Sequence, residues 1–339
     1  MIPRDDTSGP RASSREILRA DGLRMFYGSR EALKGLSFSL GSGRVLGFLG
    51  PNGAGKTTAI RILTTILEPS SGSFAVDGVG SSDPQTIRRK IGVLPESLGF
   101  TKSNTALEHL TYFGQLYGRG AKEAQTRAQA LVQEVGLEQR AKSPIGTYSR
   151  GMRQRLGIAR ALVNDPVVVF LDEPTLGLDP RGQKELLALV HRIPLERNAS
   201  IILCSHLLSE IEGVCDEVVI LSSGEVVASG TVNDVVRQAR SNAMQADGIR
   251  VRVPSASVSK ACQLLESLPE VGAAVPLRGV VGWVRITMVE SDDGTPRDQH
   301  DNNRILEALI RADIAVLSFQ AEVARLQDAF LHLTEEAIR

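Results

Sequence analysis

Residues 50–58 read Gly50-Pro51-Asn52-Gly53-Ala54-Gly55-Lys56-Thr57-Thr58. This glycine-rich stretch follows the apolar run Val45–Leu49 and precedes a helical pattern from Thr57 to Leu67. A strand, a glycine-rich loop and a helix in this order are typical of a phosphate-binding P-loop. Small residues let consecutive backbone N–H groups curl around a phosphate where a Cβ would collide with it. The helix also points its positive N-terminal end at the same anion.

Individual residues of this loop have expected roles. The Lys56 ammonium supplies a point charge for the β- and γ-phosphates, and the Thr57 hydroxyl is placed to ligate Mg²⁺. All nine residues from Gly50 to Thr58 are therefore candidate nucleotide contacts. A second glycine-rich stretch, Gly41-Ser42-Gly43, lacks dinucleotide-binding spacing and precedes its strand. We interpret it as a hairpin turn.

Length and composition limit the classes of protein to consider. A chain of 339 residues has room for one large α/β domain and a smaller one. Lys+Arg and Asp+Glu number 39 each, so the formal charge is zero and no basic footprint for nucleic acid is evident. Cys204, Cys215 and Cys262 lack metal-binding or disulfide spacing, which suits a reducing cytosol. We expect each to be a small buried apolar residue.

Membrane and targeting signals are weak. Residues 1–17 contain no apolar core of the kind found in signal peptides, and we expect a flexible tail. No stretch approaches the ~18 to 20 apolar residues that a spanning helix needs. Val167–Leu171, among the longest apolar runs, has the length of a buried strand. Any role at a membrane is therefore expected to depend on a partner.

Short apolar runs rich in β-branched residues alternate with helical stretches up to about residue 240. This alternation predicts an α/β fold with a largely parallel sheet flanked by helices. The runs are Val45–Leu49, Ile91–Leu94, Val167–Leu171, Ile201–Cys204 and Val218–Leu221. The turn Ser222–Gly224 before Glu225–Ala228 predicts a hairpin that closes this domain.

Strand signals vanish within this region between about residues 97 and 164, which predicts an inserted helical subdomain. The expected helices are Ala106–Leu116, Ala121–Val135 and Gly151–Leu162. We therefore expect residues 18–240 to form one domain.

The remaining residues, 241–339, predict a small α+β domain. The expected strands are Arg250–Val253, Trp283–Met288 and Ala315–Phe319, and the expected helices are Val258–Leu268 and Asn303–Arg311. The charged segment Glu290–Asn302, which contains Gly and Pro, predicts a solvent-exposed loop.

Two acids select among the proteins that carry a P-loop. The apolar strand Val167–Leu171 ends in Asp172 and Glu173. Asp172 is placed to hold Mg²⁺ through water, and Glu173 to polarise the attacking water, a role that typically contributes ~10²–10⁴-fold in rate. The alternative is that both acids merely cap the next helix. Upstream, Ser149 is in the N-cap position of a helix that runs to Leu162.

Taken together, these motifs resemble the ATP-binding cassette (ABC) family. Tyr148-Ser149-Arg150-Gly151-Met152 resembles the family signature, Thr175–Pro180 resembles its D-loop with Asp179, and Ser205-His206 resembles its switch histidine. The resemblance covers Leu18 to about Val236 and includes every expected motif in order.

The resemblance implies that two cassettes stack head to tail. Each ATP would lie between the P-loop of one subunit and Ser149 and Gly151 of the other. Asp179 would belong to the same interface, and His206 would contact the γ-phosphate and orient the water. Tyr27 matches the aromatic residue that stacks on adenine, a contact worth ~1–3 kcal/mol per base in nucleic-acid binders. Its neighbour Phe26 is expected to face the core, because adjacent strand residues point opposite ways.

Three positions depart from the common family pattern. Glu96 stands where most members carry glutamine, and its carboxylate can still reach Mg²⁺ or its water. Arg150 and Met152 replace a glycine and a glutamine of the signature. These signature residues, and the ending Leu326–Leu333, resemble the subset that serves exporters of drugs, lipids or polysaccharides.

The resulting hypothesis is an ATP-hydrolysing subunit of an export-type transporter, with ATP and Mg²⁺ as ligands. It would work as a homodimer on the cytoplasmic face of the membrane, beneath separate membrane-spanning permease subunits, without nucleic acid. Lys56, Glu173 and His206 are the candidate catalytic residues, while Thr57, Asp172 and Glu96 are the candidate metal ligands.

Two alternatives stay open. One is a soluble ABC-type ATPase that acts on nucleic acid or ribosomes. The other makes the C-terminal domain a regulatory or binding module, against the simpler interpretation that it stabilises a dimer. The histidines other than His206 are interpreted as structural.

Overall fold

The computed structural model describes residues 15–205, 208–235, 248–277, 280–289 and 299–322. His206, the polar stretch 242–247 and the ending Leu326–Leu333 lie outside these residues. The described chain divides into two compact units, the first of which ends at Val235. Within the described ranges, every helix is too short or too polar to cross a lipid bilayer.

The first unit begins with an antiparallel sheet that the sequence patterns did not reveal. Its strands are β1 (Glu16–Tyr27), β2 (Arg30–Gly41), β4 (Ser71–Val76) and β5 (Val79–Gly80), in the order β2-β1-β4-β5. The sequence predicted a flexible tail over residues 1–17. This prediction is wrong for its last two residues, because Glu16 and Ile17 already belong to β1. Ile17 is buried, so packing extends β1 further towards the N-terminus than composition indicated.

The second sheet contains the predicted apolar runs. Its strands are β3 (Val45–Leu49), β6 (Ile91–Leu94), β7 (Val168–Asp172), β8 (Ser200–Cys204), β9 (Glu217–Ser222) and β10 (Glu225–Thr231). Their order is β10-β9-β3-β8-β7-β6, parallel except for the hairpin β9–β10. The predicted parallel sheet and the predicted closing hairpin are therefore both present.

The predicted hairpin at Gly41–Gly43 is wrong. It joins β2 to β3, which lie in different sheets. Gly43 adopts a φ of +69°, and its N–H donates to Ser200 Oγ at 3.0 Å. The turn therefore carries the chain from one sheet to the other instead of reversing it within one sheet.

Seven α-helices that end before Glu217 accompany these sheets in the described part of the first unit. They are α1 (Lys56–Leu63), α2 (Pro84–Lys90), α3 (Ala106–Leu116), α4 (Ala121–Glu134), α5 (Arg150–Ala161), α6 (Pro180–Arg197) and α7 (Leu208–Val214). Helix α1 ends four residues before the predicted Leu67, because Thr65 adopts a left-handed φ of +60°. Helices α3, α4 and α5 pack on one another, as expected for the helical segment.

An apolar core includes residues from both sheets of this unit. Leu18, Leu23 and Leu36 of the first sheet and Phe48 and Phe170 of the second are all essentially inaccessible. Burial of each such side chain contributes roughly 1.5–3 kcal/mol to folding. This core fixes the strand ends from which the loops around residues 50–55 and 172–173 emerge.

In its described residues, the second unit is a small antiparallel sheet packed with α-helices. Its elements are β11 (Gly248–Arg252), α8 (Val258–Glu266), β12 (Val271–Pro276), β13 (Trp283–Met288), α9 (Gln299–Arg311) and β14 (Ser318–Glu322), with strand order β12-β13-β11-β14. The α+β character agrees with expectation. Buried residues of the strands, such as Val251 and Ile286, pack with Leu265 and Leu309 of the helices.

Details of this unit differ from the expected elements. Strand β12 was missed, and β14 begins at Ser318, three residues after the predicted start. In the stretch expected to be a loop, Glu290–Asn302, residues 290–298 lie outside the described part, but helix α9 already begins at Gln299. The first turn of this helix is polar, so the apolar repeat that includes Ile305 and Leu309 did not indicate where the helix begins.

The cysteines and the buried histidine have structural surroundings. Cys204 and Cys215 are buried as expected, whereas Cys262 is only half-buried. His109 lies between Phe100 and Phe113, with ring centroids 4.9 and 4.8 Å away. Its burial, together with the nearby Arg160 charge, lowers the pKa of His109 to about 4.

The lowered His109 pKa predicts a pH-dependent loss of stability. Between pH 6.5 and about 4 the unfolded chain binds a proton that the folded chain does not, so the free energy of unfolding falls as pH falls. We expect His109→Phe, which keeps the aromatic packing, to reduce this loss. Urea unfolding at pH 7, 6, 5 and 4.5 measures it, with His191→Phe as an exposed control. Equal pH slopes for the wild type and His109→Phe would contradict the assignment.

Candidate functional site

An open cleft of about 750 Å³ surrounds the loop that begins at Gly50. It lies where β3, β6 and β7 end, so residues that are distant in sequence meet at one edge of the parallel sheet. The residues that line it are Tyr27, Arg30, Ala32, Asn52, Gly53, Gly55, Lys56, Thr57, Thr58, Glu96, Asp172, Glu173 and Leu176. The cleft therefore collects residues from the loop, the two acids and the aromatic residue that the sequence singled out.

The glycines of the loop are required by its own packing. Gly53 and Gly55 adopt φ values of +83° and +107°, in the left-handed region that favours glycine. A Cβ on Gly55 would also lie 2.8 Å from Leu33 Cδ2 and 2.9 Å from the Ala32 carbonyl oxygen. A Cβ on Gly50 would overlap the carbonyl oxygen of Leu221. The loop thus presses on the sheets behind it, in addition to leaving room for an anion in front.

Lys56 lies in this loop as a nearly buried cation, with 9% of its surface exposed. Its Nζ donates to the carbonyl oxygens of Gly50, at 2.6 Å, and Pro51, at 3.1 Å. In the part of the chain that the structure describes, no carboxylate lies within ion-pair distance of it. Backbone carbonyls satisfy an ammonium group's donors but do not neutralise its charge. An anion in the cleft would do so.

Carboxylates gather on the other side of the cleft. Asp172 ends β7, Glu173 follows it, and Glu96 lies shortly after β6. Burial raises the pKa of Asp172, and repulsion from Glu173 and Glu96 raises it further, while Lys56 opposes the shift. Glu173 adopts a φ of +49°, and its N–H donates to the Cys204 carbonyl at 3.0 Å. A cation is therefore electrostatically favoured here.

The metal would not be held by protein groups alone. Within the described ranges, no three His, Cys, Asp or Glu side chains are arranged to hold an ion. Mg²⁺ is commonly bound by one or two carboxylates together with substrate phosphates and water. Asp172, Glu96 and the Thr57 hydroxyl line the same cleft and fit such a partial ligand set.

Phe26, the neighbour of Tyr27, does not face the core as predicted. Both are exposed, Phe26 by 44% and Tyr27 by 46%, so the expectation that Phe26 faces the core is wrong. The register of β1 against β2 shifts between Met25 and Phe26. Such an irregularity breaks the two-residue alternation of the strand. Tyr27 still lines the cleft, where a flat ring can stack on a base.

Ser149, Gly151 and Asp179 lie apart from this cleft. They line a second cavity, of about 650 Å³, together with Arg150, Met152, Gly177 and other residues from α5 and α6. Ser149 Oγ accepts the Met152 N–H at 3.2 Å, which confirms the predicted N-cap. Asp179 is the N-cap residue of α6. In one chain, the two cavities share none of their lining residues.

Some residues of the cleft were not predicted. Arg30 and Ala32 line it without belonging to a recognised motif, and Leu176 lies in the D-loop stretch Thr175–Pro180 but was not named as a site residue. Arg30 faces Tyr27 across the β1–β2 pair, so only recognition of that hairpin would have indicated it. His206 lies outside the described residues, and its role stays a prediction. The neighbouring Ser205 hydroxyl donates to Glu210 at 2.7 Å.

Comparison with known proteins gives consistent results. The family profile described as ABC transporter matches residues 33–176. The linearmycin resistance ATP-binding protein LnrL of Bacillus subtilis is 37% identical over 220 residues, which are 65% of this chain and 70% of that protein. The daunorubicin/doxorubicin resistance ATP-binding protein DrrA of Streptomyces peucetius is 33% identical over 324 residues, 94% of this chain and 92% of that one.

Two solved structures are similar to the first unit. One, described as the ATP-binding subunit of an ABC transporter, is 34% identical with a TM-score of 0.59, and covers 66% of this chain and 92% of its own. The other is a dimeric ATP-binding cassette described as a post-hydrolysis state bound to ADP and Pi. It is 25% identical with a TM-score of 0.58, and covers 63% of this chain and 98% of its own.

The raised pKa of Asp172 leads to a stability prediction. A carboxyl whose folded-state pKa is raised destabilises the fold above its unfolded pKa, and this cost disappears as pH falls below that value. We expect Asp172→Asn to stabilise the ligand-free protein at pH 7 by ~0.5–2 kcal/mol, the range typical of single stabilising substitutions, including those that improve charge placement. The gain should shrink towards pH 4. Denaturant unfolding measures both.

Asp77→Asn is the control with the opposite sign. Hydrogen bonding by Lys90, which outweighs partial burial, and the nearby Arg15 lower the pKa of Asp77. Its charge therefore stabilises the fold above the unfolded pKa, and that contribution is lost as pH falls. We expect Asp77→Asn to destabilise the protein at pH 7. If Asp172→Asn also destabilised the protein at pH 7, this result would contradict the repulsion that we assign between Asp172 and the carboxylates of Glu173 and Glu96.

Proposed function

The chain belongs to the ATP-binding subunits of ABC transporters, which are P-loop ATPases, and from this membership we propose that it powers export as a Mg²⁺-dependent homodimer. The cargo would pass through separate membrane-spanning subunits. One relative, the uncharacterised ABC transporter ATP-binding protein YxlF of Bacillus subtilis, is 33% identical over 316 residues, 93% of this chain and 98% of that protein. The names of LnrL and DrrA, which refer to antibiotic or drug resistance, support export.

In this proposal the cleft around Gly50–Thr58 binds the triphosphate of ATP. The backbone of the loop and the N-terminus of α1 would surround the phosphates, and Lys56 would exchange a loop carbonyl for a phosphate oxygen. Tyr27 would stack on adenine at the far end of the cleft. The uncompensated charge of Lys56 supports this assignment, because an anion is the partner that it lacks among the described residues.

Mg²⁺ would be held by Thr57, Asp172 and Glu96 together with the phosphates. When bound, the metal neutralises phosphate charge and orients the oxygens that react. The raised pKa of Asp172 supports the assignment, since a cation would relieve the repulsion that raises it. Glu173, which comes one residue after Asp172, would polarise the attacking water. His206 would orient that water at the γ-phosphate.

The separation of the two cavities is the observation that supports the proposed homodimer. The P-loop residues and Ser149, Gly151 and Asp179 line different surfaces of one chain. A head-to-tail pair would bring the N-terminus of α5 of one copy to the cleft of the other, where its positive end stabilises phosphate charge. ATP would thus favour the closed pair, because only differential binding shifts such an equilibrium.

A partner in the membrane has a candidate docking surface. Helix α3 follows residues 95–105, which we call the Glu96 segment. The helix exposes Tyr112 by 56% and Leu116 by 62%, and the next residue, Tyr117, is exposed by 41%. Clustered exposed apolar side chains of this kind often mark a protein interface. We propose that the permease contacts this face, with the chain peripheral to the cytoplasmic side of the membrane. The first proposed domain begins at Glu16 instead of residue 18, because β1 begins there. The other proposed bounds are unchanged: this domain runs to residue 240, with the helical subdomain at 97–164, and the second domain is residues 241–339.

Glu173→Gln tests the closed dimer. Loss of the polarising carboxylate should slow ATP hydrolysis ~10²–10⁴-fold while leaving ATP binding intact. We therefore expect the variant to elute as a dimer in Mg-ATP and as a monomer with EDTA. Size-exclusion chromatography with light scattering measures the mass. Glu123→Gln, an exposed glutamate on α4, is the matched control and should behave as wild type. A Glu173→Gln variant that binds ATP but stays monomeric would overturn the proposed head-to-tail dimer.

Recovery of the partner tests the transporter assignment. We expect Glu173→Gln, solubilised from native membranes in mild detergent with Mg-ATP, to bring down a multi-span protein in about equal amount, because ATP holds the closed state that the partner recognises. Mass spectrometry identifies it. Leu116→Glu should reduce recovery, whereas Leu195→Glu, a leucine on α6 that is also exposed, should not. Recovery of ribosomal or nucleic-acid-bound proteins alone would favour the soluble ATPase.

A further inference from the structure

Arg160, near the C-terminal end of α5, contacts the segment that carries Glu96. Its Nη1 donates to the Leu98 carbonyl oxygen at 2.8 Å. Its guanidinium carbon lies 5.1 Å from the ring centroid of Phe100 and 5.5 Å from that of Phe113. These distances are those of cation–π contacts. One side chain therefore joins α5 to the segment after β6 and to α3.

This arginine has no carboxylate within ion-pair distance in the described part of the chain. Burial lowers the pKa of Arg160, and Tyr117 opposes the shift. A partly desolvated cation without a carboxylate partner is unfavourable unless its donors and its flat faces are occupied. The Leu98 carbonyl and the two rings supply these contacts. The position of Arg160 is therefore closely tied to the position of Leu98 and Phe100.

The same segment packs closely against α5 at a second point. A Cβ on Gly157 would overlap Leu94 Cδ1 and lie 3.0 Å from Leu98 Cδ2. Glu96 lies between these two leucines and lines the nucleotide cleft. The Glu96 segment is thus held against one face of α5 by close packing at Gly157 and by the hydrogen bond from Arg160.

Helix α5 leads from this attachment to the second cavity. Ser149, its N-cap, lies eleven residues before Arg160, which corresponds to about 16 Å along a helix. A continuous helix transmits displacement over that distance as a rigid rod. The contacts of Arg160 therefore connect the position of Glu96 in one nucleotide cleft to the surface that presents Ser149.

We propose that Arg160 is a positioning residue for hydrolysis, which holds the Glu96 carboxylate in register with α5. The inference rests on the proposed role of Glu96 at the metal. Arg160 itself touches neither nucleotide nor metal; it acts through the backbone at Leu98. Its loss leaves the P-loop and Tyr27 in place and so leaves ATP binding intact, while the metal-bearing side of the cleft loses its alignment.

The test is a double-mutant cycle on the full chain. Arg160→Gln and Glu96→Ala should each lower kcat for Mg-ATP hydrolysis about 10- to 100-fold, the cost of misplacing a catalytic group by about an ångström. KM for ATP should stay within about twofold of wild type, since uniform binding is unchanged. Because Arg160 acts through Glu96, the double variant should be no slower than the slower single variant.

Arg127→Gln is the matched control. Arg127 is also a partly buried helical arginine that donates to a backbone carbonyl just after α5, that of Leu162 at 2.9 Å. Unlike Arg160 it also pairs with a carboxylate, that of Asp165, and none of its hydrogen bonds or ion pairs within the described residues involves the Glu96 segment. We expect comparable thermal destabilisation by Arg127→Gln and Arg160→Gln, with a kcat loss only for the second. Equal kcat losses would reduce Arg160 to a stabilising residue and overturn the proposal.

Two further variants keep the test decisive if Arg160→Gln fails to fold. Arg160→Lys keeps the charge but loses the planar face, and Phe100→Leu keeps apolar bulk but removes one ring. Both should lower kcat in the same direction and by less, again without effect in the Glu96→Ala background. If the fold-losses in kcat caused by the Arg160 and Glu96 substitutions multiply in the double variant, the inference is overturned. Wild-type protein without Mg-ATPase activity, or full activity of Glu96→Ala, would instead overturn the proposed function of the site.

Discussion

One cleft contains charges of opposite sign that the surrounding protein groups do not fully compensate. The rest of the first unit holds these charged groups in place. Lys56 is nearly buried and bonded to backbone carbonyls, while Asp172 is surrounded by other carboxylates that raise its pKa. Folding such groups together costs stability, which the apolar core must offset. A triphosphate with its metal carries both missing charges in one ligand. The electrostatics of the cleft therefore fit the ligand that we propose for it.

The geometry that maintains this cleft depends on contacts behind the loop. The loop from Gly50 to Gly55 closes against Leu221 and against the Ala32–Leu33 backbone and side chain of the first sheet. The antiparallel sheet therefore supports the phosphate loop from behind, in addition to placing Tyr27 at its edge. A sequence motif alone suggests that its glycines serve the ligand. Here two of them also serve the fold.

The sequence allowed much of the first unit to be predicted, because its parallel strands are buried on both faces and read as continuous apolar runs. The sheet from Glu16 to Gly80 was missed, since its strands mix buried and exposed residues irregularly and shift register near Phe26. The same shift defeated the expectation that Phe26 is buried. Site residues in motifs were found from spacing, but Arg30 enters the cleft by pairing with Tyr27 across the short turn at Gly28–Ser29, which was not recognised in the sequence. The turn at Gly41–Gly43 depends on which sheets its neighbours join, and this too is a non-local fact.

The proposed division of the catalytic residues between two surfaces of one chain would have a kinetic consequence. If each active site needs a loop from one copy and Ser149 from another, turnover by the free chain rises with the square of its concentration until pairs predominate. A partner that holds two copies side by side replaces that bulk concentration with an effective one in the millimolar range that is typical of short tethers. Dilute, unassembled chains then consume little ATP, and nucleotide is spent chiefly where a pair has been assembled.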